Sequence, residues 1–146
     1  MNDIITTVIG NAVTDVSLRV TSAGTSVASF RIASNSRRFD KSTSSWIDQE
    51  PSYLSITAWS QLAENVALSV HKGQGLVVTG KLKVRQWQDA DKSGTNVEID
   101  AIAIGHDLNR GTSEFTKVKR VSEFYEQDPW MNEAADTEIS AALMNG

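Results

Sequence analysis

Lys81, Lys83, Arg85 and Trp87 occupy alternate positions in one short stretch. On a β-strand a period of two turns such residues to the same face. Leu76, Val78, Leu82 and Val84 share the even face of residues 74–87. The reading is therefore an even face turned inward and three cations with an aromatic turned outward. Residues 53–59 repeat the pattern, with Leu54 and Ile56 on one face and Tyr53 and Trp59 on the other. Arg31 stands between Phe30 and Ile32 and by the same parity faces outward. Cations interleaved with aromatics suit an unpaired polynucleotide strand. Lys and Arg neutralise phosphates and release condensed counterions, and aromatic rings stack on bases. The competing reading is a solvated strand face whose charges resist edge pairing.

The polar stretch 34–51 reads as one long loop, and it carries Arg37, Arg38, Phe39, Lys41 and Trp46. Long loops are more often functional than idle. An aromatic flanked by Arg-Arg and Lys can wrap a strand and stack a base, whereas Trp46 has the alternative of folding back onto the body.

Catalytic chemistry has little to stand on. The two histidines are His71, near a helix end, and His106, after the last strand. There is no Gly-rich phosphate loop ending Gly-Lys-Ser/Thr, no His-x-x-x-His and no Gly-x-Ser-x-Gly. Asp89 and Asp91 read as a solvated turn. The absence of cysteine excludes a disulfide framework, a cysteine nucleophile, thiolate zinc and iron–sulfur sites, and it accords with a reducing compartment. No catalytic residue, metal site or cofactor is expected, so the protein reads as a binder and not an enzyme.

The elements that position these residues follow from period and punctuation. Residues 3–9 are rich in β-branched residues, Gly10 and Asn11 interrupt, and the strand resumes through Val13, Val16, Leu18 and Val20, which predicts a bend. A turn cluster at residues 21–26 leads to a second strand, residues 27–33. A third strand spans 53–59. Ser60 is expected to cap a short helix carrying Leu62, Ala63, Val66, Ala67 and Val70, with Gly73 marking its stop. A strand over 74–87, a loop over 89–96 and a last strand over 97–104 follow. The order β–β–β–α–β–β with a bent first strand predicts an all-β, five-stranded Greek-key barrel, the OB-fold, with one short helix between strands 3 and 4 and long β-hairpin loops.

The net charge of −4 over 146 residues argues at first against a polyanionic partner. The charge is unevenly spread. Residues 1–120 hold all fourteen cations against twelve acids and net +2, while residues 121–146 hold six acids and no cation. The tail reads either as an interaction arm or as a solubilising terminus. No apolar run reaches the ~18–20 residues of a membrane span, and the N-terminus lacks the basic region of a signal peptide, so a cytoplasmic protein without membrane contact is expected.

Over residues 2–108 the chain resembles the bacterial single-stranded DNA-binding proteins of the homotetrameric OB-fold type. The resemblance rests on Ile9-Gly10-Asn11, on Val27-Ala28-Ser29-Phe30-Arg31-Ile32-Ala33, on Trp59-Ser60-Gln61-Leu62-Ala63-Glu64-Asn65-Val66, on His71-Lys72-Gly73, and on Val78-Thr79-Gly80-Lys81-Leu82-Lys83-Val84-Arg85-Gln86-Trp87. It implies binding of single-stranded DNA without marked sequence preference by a homotetramer, in replication, recombination or repair, with a nucleoid-associated location. It also implies that Tyr53, Trp59 and Trp87 meet bases or adjoining packing, and that Lys72, Lys83 and Arg85 line the DNA path. Phe39 lies one residue from the family's loop aromatic, where Arg38 stands. Gln61 and Gln86 replace lysines of some members. The DNA-binding set is thus Arg31, Arg37, Arg38, Phe39, Tyr53, Trp59, Lys72, Lys81, Lys83, Arg85 and Trp87.

Asn65-Val66 and Phe115-Thr116-Lys117-Val118-Lys119 look most like actinobacterial members, in which a further C-terminal strand clasps a neighbouring subunit; residues 109–120 are the candidate. Residues 121–146 form a short acidic tail without the family's Gly-rich linker and terminal Pro-Phe, which resembles a secondary paralogue. Asp128, Pro129 and Trp130 are candidates to replace that tip in recruiting recombination or repair proteins. The rival class is an OB-fold protein–protein adaptor like the related primosome component. Such adaptors tend to lose the stacking aromatics, and Tyr53, Trp59 and Trp87 are present here.

Overall fold

The computed structural model of the protein describes residues 2–119, so the tail candidates Asp128, Pro129 and Trp130 and the end of the clasp candidate at Arg120 lie outside the described residues. The chain divides into two units, Met1–Ser113 and Glu114–Gly146. In the second, residues 114–119 are described and form neither helix nor strand.

The first unit begins with β1 (Ile5–Ala12) and β2 (Ser17–Val20), the two arms of the predicted bent strand. The break falls where β1 changes partner. Residues 5–11 pair with β7 (Gly75–Asp89), then Asn11 and Ala12 pair with β3 (Ser26–Ser34). A Cβ on Gly10 would come within 2.3 Å of the Ala33 carbonyl oxygen, so only glycine allows the two backbones to approach this closely. β2 then lies antiparallel to β3, and β3 to β6 (Ser52–Trp59). After α1 (Ser60–Ser69), β7 and β8 (Lys92–His106) form one long hairpin, and β8 runs parallel to β6 with Ile56 opposite Ile99. The ring β1–β7–β8–β6–β3 closes through the β1–β3 pairing, which is the five-stranded barrel expected.

Ile32, Ile56, Leu76, Val78 and Ile99 are fully buried at its centre. Each sits at an apolar position of the period-two pattern, and α1 covers one end with Ala63 and Val66. The hairpin has an irregularity between Thr79 and Gly80, where Thr79 faces Ala103 and Gly80 faces Ala101. The additional residue is on β8, so the inward parity of β7 survives while that of β8 switches.

Several local expectations are corrected. The stretch 34–51 contains a two-stranded hairpin, β4 (Arg37–Asp40) with β5 (Ser45–Asp48). It stands outside the barrel with both faces largely exposed, so no apolar alternation marks it. The expected loop 89–96 is strand up to a tight turn, since Asp89 pairs with Lys92. Val84 is exposed, not inward, because the hairpin has left the barrel by that point and no layer covers it. Ser60 is not the cap of α1. Trp59 holds that place with extended backbone and without a side-chain cap bond, while Ser60 takes the left-handed region at φ 58°. Helix α1 ends at Ser69. Gly73, at φ 93°, serves the turn beyond it, and its N–H donates to the Ala12 carbonyl.

His106 Nε2 faces the Ser69 carbonyl and Gln74 Oε1, both at 3.0 Å, and its Nδ1 meets the Ser113 hydroxyl. Two acceptors at Nε2 require the proton there. The imidazole thus ties the end of β8 to the turn after α1.

Candidate nucleic-acid interface

Four strands set out the outer face of the barrel. β7 contributes Lys81, Lys83, Arg85 and Trp87, and their side chains are all exposed, as alternation requires. β8 contributes Glu98 and Asp100, opposite Lys83 and Lys81. β6 contributes Ser55 and Thr57, neighbours of Glu98 and Asp100, together with Tyr53 and Trp59. β3 contributes Arg31, opposite Ser55.

Arg31 and Tyr53 act on one another. The guanidinium carbon lies 6.0 Å from the Tyr53 ring centroid, at the limit of a cation–π contact, and Nη1 donates to Ser55 Oγ at 3.5 Å. Tyr53, Trp59 and Trp87 keep 53%, 47% and 44% of their surface exposed, enough to offer a flat ring to a base. Trp87 is seated by its cross-strand partner Gly94. A Cβ there would fall 2.5 Å from the indole carbons, so the ring rests directly against the Gly94 backbone.

The β4–β5 hairpin adds a second aromatic group. Phe39 pairs with Trp46 and Arg37 with Asp48. Alternation then leaves Arg38 on the opposite face of the hairpin with Ile47, separating the Arg-Arg-Phe cluster that the sequence groups together. The Phe39 and Trp46 rings meet edge to face with centroids 5.4 Å apart. Trp46 remains 67% exposed, so it does not fold back onto the body. The turn is pinned by Asp40, whose Oδ1 accepts from the Ser42 N–H at 3.0 Å and the Ser42 hydroxyl at 2.7 Å. Those bonds, with one from Thr43, hold the Asp40 carboxyl below its usual range.

The cations divide into two classes. Lys81, Lys83 and Arg85 each meet a carboxylate, from Asp3, Asp100 and Glu98 respectively, and Arg37 meets Asp48 at 2.9 Å. Among the described residues, Arg31, Arg38 and Lys72 have no carboxylate partner. Lys72 lies in the turn between α1 and β7, apart from the strand face, where its N–H donates to Asp15 Oδ1 at 3.3 Å. Two parts of this arrangement carry no signal in the sequence read strand by strand: the Gly94 seat, which needs the register, and the acids at alternate positions 98 and 100, which mirror the cations of β7. No His, Asp, Glu or Cys cluster able to hold a metal occurs among the described residues, and no helix there is long and apolar enough to cross a membrane.

The profile of the "Single-strand binding protein family" matches residues 1–106, the whole barrel. The chain belongs to the single-strand binding protein family. Single-stranded DNA-binding protein 2 of Streptomyces coelicolor is 42% identical over 112 residues, covering 76% of this chain and 56% of that protein. The single-stranded DNA-binding protein of Corynebacterium glutamicum is 40% identical over 115 residues, covering 78% and 51%. The chain thus spans about half the length of these two relatives. Among solved structures, a small single-stranded DNA-binding protein from Streptomyces coelicolor superposes with a TM-score of 0.69 at 38% identity, covering 76% of this chain and all of that one. The second such protein from Mycobacterium smegmatis, SSBb, gives 0.60 at 29% identity over 80% of this chain and all of its own. The family thus supplies the OB-fold that the element order predicted, and residues 107–146 lie beyond the matched profile.

Proposed function

We propose that the protein binds single-stranded DNA without marked sequence preference and acts by coating it, not by catalysis. The observation that carries this reading is the outer face on which Tyr53, Trp59 and Trp87 stay exposed beside Arg31 and the β7 cations. Bases stack on the rings and the cations attract phosphates. The β4–β5 hairpin, with Phe39 and Trp46, extends the stacking surface, and Lys72 and Arg38 add phosphate contacts. The names of the relatives support the same ligand. The test is a titration of tryptophan fluorescence with oligo(dT), oligo(U) and duplex DNA. Quenching by oligo(dT) alone at moderate salt is expected, and no response to oligo(dT) overturns the reading.

The working form is a homotetramer, with residues 109–120 clasping a neighbouring subunit and residues 121–146 recruiting repair or recombination proteins through Asp128, Pro129 and Trp130. The protein works on cytoplasmic, nucleoid-associated DNA. Sedimentation at four times the chain mass, and its loss on removing residues 109–146, are the expected outcomes for the clasp. A peptide of residues 121–146 that captures no such partner removes the tail from this account.

A further inference from the structure

The three outward cations of β7 are compensated in a systematic way. Register alone sets Lys83 against Glu98 and Lys81 against Asp100. The side chains instead reach diagonally, Lys83 Nζ to Asp100 Oδ2 at 2.5 Å and Arg85 Nε to Glu98 Oε2 at 3.1 Å. Lys81 is then met from outside the hairpin, by Asp3 just before β1, at 3.5 Å. Each cation therefore has its own carboxylate. The acids on β8 are the more shielded partners, 24% and 28% exposed for Glu98 and Asp100 against 67% and 48% for Arg85 and Lys83. They also sit in the middle of the face, between the β7 cations and the Ser55–Arg31–Tyr53 group. A strand passing from Trp87 to Tyr53 crosses them.

Exposed ion pairs of this kind add little to stability, so holding the fold together is a poor account of all three. Their effect on a polyanion is larger. At physiological salt the Debye length is about 8 Å, longer than these pair distances, so a phosphate above the face feels cation and carboxylate together. We infer that Asp3, Glu98 and Asp100 attenuate the interface: by occupying Lys81, Lys83 and Arg85 they shift binding from phosphate contact towards base stacking and keep its salt dependence shallow. This rests on the single-stranded DNA reading above.

The test uses the full chain carrying Glu98→Gln and Asp100→Asn, titrated with oligo(dT) between 50 and 200 mM salt. Each side chain keeps its shape and loses only its charge. Two freed cations steepen the slope of log affinity against log salt by about 1.4, at ~0.7 per phosphate contacted on a single strand. The gain over wild type then grows about sevenfold as salt falls from 200 to 50 mM. Asp3→Asn, outside the sheet, is expected to give about half that slope change by freeing Lys81, and it keeps the test decisive if the β8 variant unfolds on heating at a much lower temperature. Asp107→Asn, just past the end of β8 and away from the β7 cations in the sheet register, controls for net charge. Wild-type binding with no tighter or steeper binding by the variants overturns the attenuation and leaves the DNA reading standing. An equal gain from Asp107→Asn also overturns it. Failure of the wild type to bind oligo(dT) overturns both.

Discussion

At the scale of single residues, the position of Trp87 depends on an atom that is missing from its neighbour. Gly94 has no Cβ, and the indole fills the space that one would take. Gly94→Ala is therefore expected to lift the ring off the ribbon without disturbing the barrel core, which lies beyond Leu82 and Ile99. Trp87→Ala should weaken oligo(dT) binding by about 1–3 kcal/mol. Gly94→Ala should lose part of that amount and shift the Trp87 emission, with an unaltered thermal midpoint. Unchanged affinity in Trp87→Ala would take the residue out of the interface. The outward parity of Trp87 was legible because β7 alternates without interruption from Leu76 to Leu82. Its seat was not, since a cross-strand partner is fixed by the turn that sets the register, and the polar stretch 89–96 does not mark where the tight turn between Asp89 and Lys92 falls. The pairing of the cations was hidden for the same reason. Lys83 and Asp100 are seventeen positions apart in the chain and meet only after the hairpin closes.

At the scale of elements, those inside the barrel and those outside it differ in how well they can be read. β3, β6 and the first half of β7 bury one face, so their apolar residues recur with a period of two and their strands were evident. The β4–β5 hairpin buries neither face, and its residues carry no such period. What holds it is local: the Asp40 turn, the Phe39–Trp46 edge contact and the Arg37–Asp48 pair. Asp40 gives this element a pH dependence of definite sign. Its carboxyl is held below the usual range by Ser42 and Thr43, so the turn gains stability while the group is charged. That contribution is complete above the ordinary aspartate range near ~3.9 and is lost as pH falls through the lowered value. The Trp46 indole N–H resonance is expected to hold its position from neutral pH down to the carboxylate range and to move below it. Asp40→Asn should remove that step, and a step that persists in Asp40→Asn assigns it to another group. Barrel elements respond differently. Ile99 lies opposite Ile56 where β8 meets β6, and both are fully buried. Ile99→Ala should cost about 2–5 kcal/mol in denaturant unfolding, whereas Ile102→Ala, exposed three residues along β8, should cost little.

At the scale of the whole molecule, charge is distributed by segment, and the segments have opposite sign. Strand order and closure could be anticipated from the sequence because one helix between the third and fourth strands leaves few ways to close a bent first strand onto the second and fourth. The balance of charge on the binding face could not, since four of the seven candidate cations, Arg37, Lys81, Lys83 and Arg85, proved to be paired. That pairing makes the tail matter more. With the β7 cations compensated, the face has little surplus charge of its own, and the six acids of residues 121–146 are the largest block of like charge in the chain. They are expected to repel an incoming strand over a distance set by salt, about 30 Å at 0.01 M and about 3 Å at 1 M. A chain ending at residue 120 carries +2 in place of −4. It is expected to bind oligo(dT) more tightly than the full chain at ~0.01 M salt, with the two affinities converging near ~1 M as the Debye length shrinks. Equal affinities at both salt concentrations would mean that the tail does not act on the strand through charge. A difference that persists at ~1 M would point to direct contact of the tail with the binding face, because screening removes the long-range term and leaves contact interactions in place.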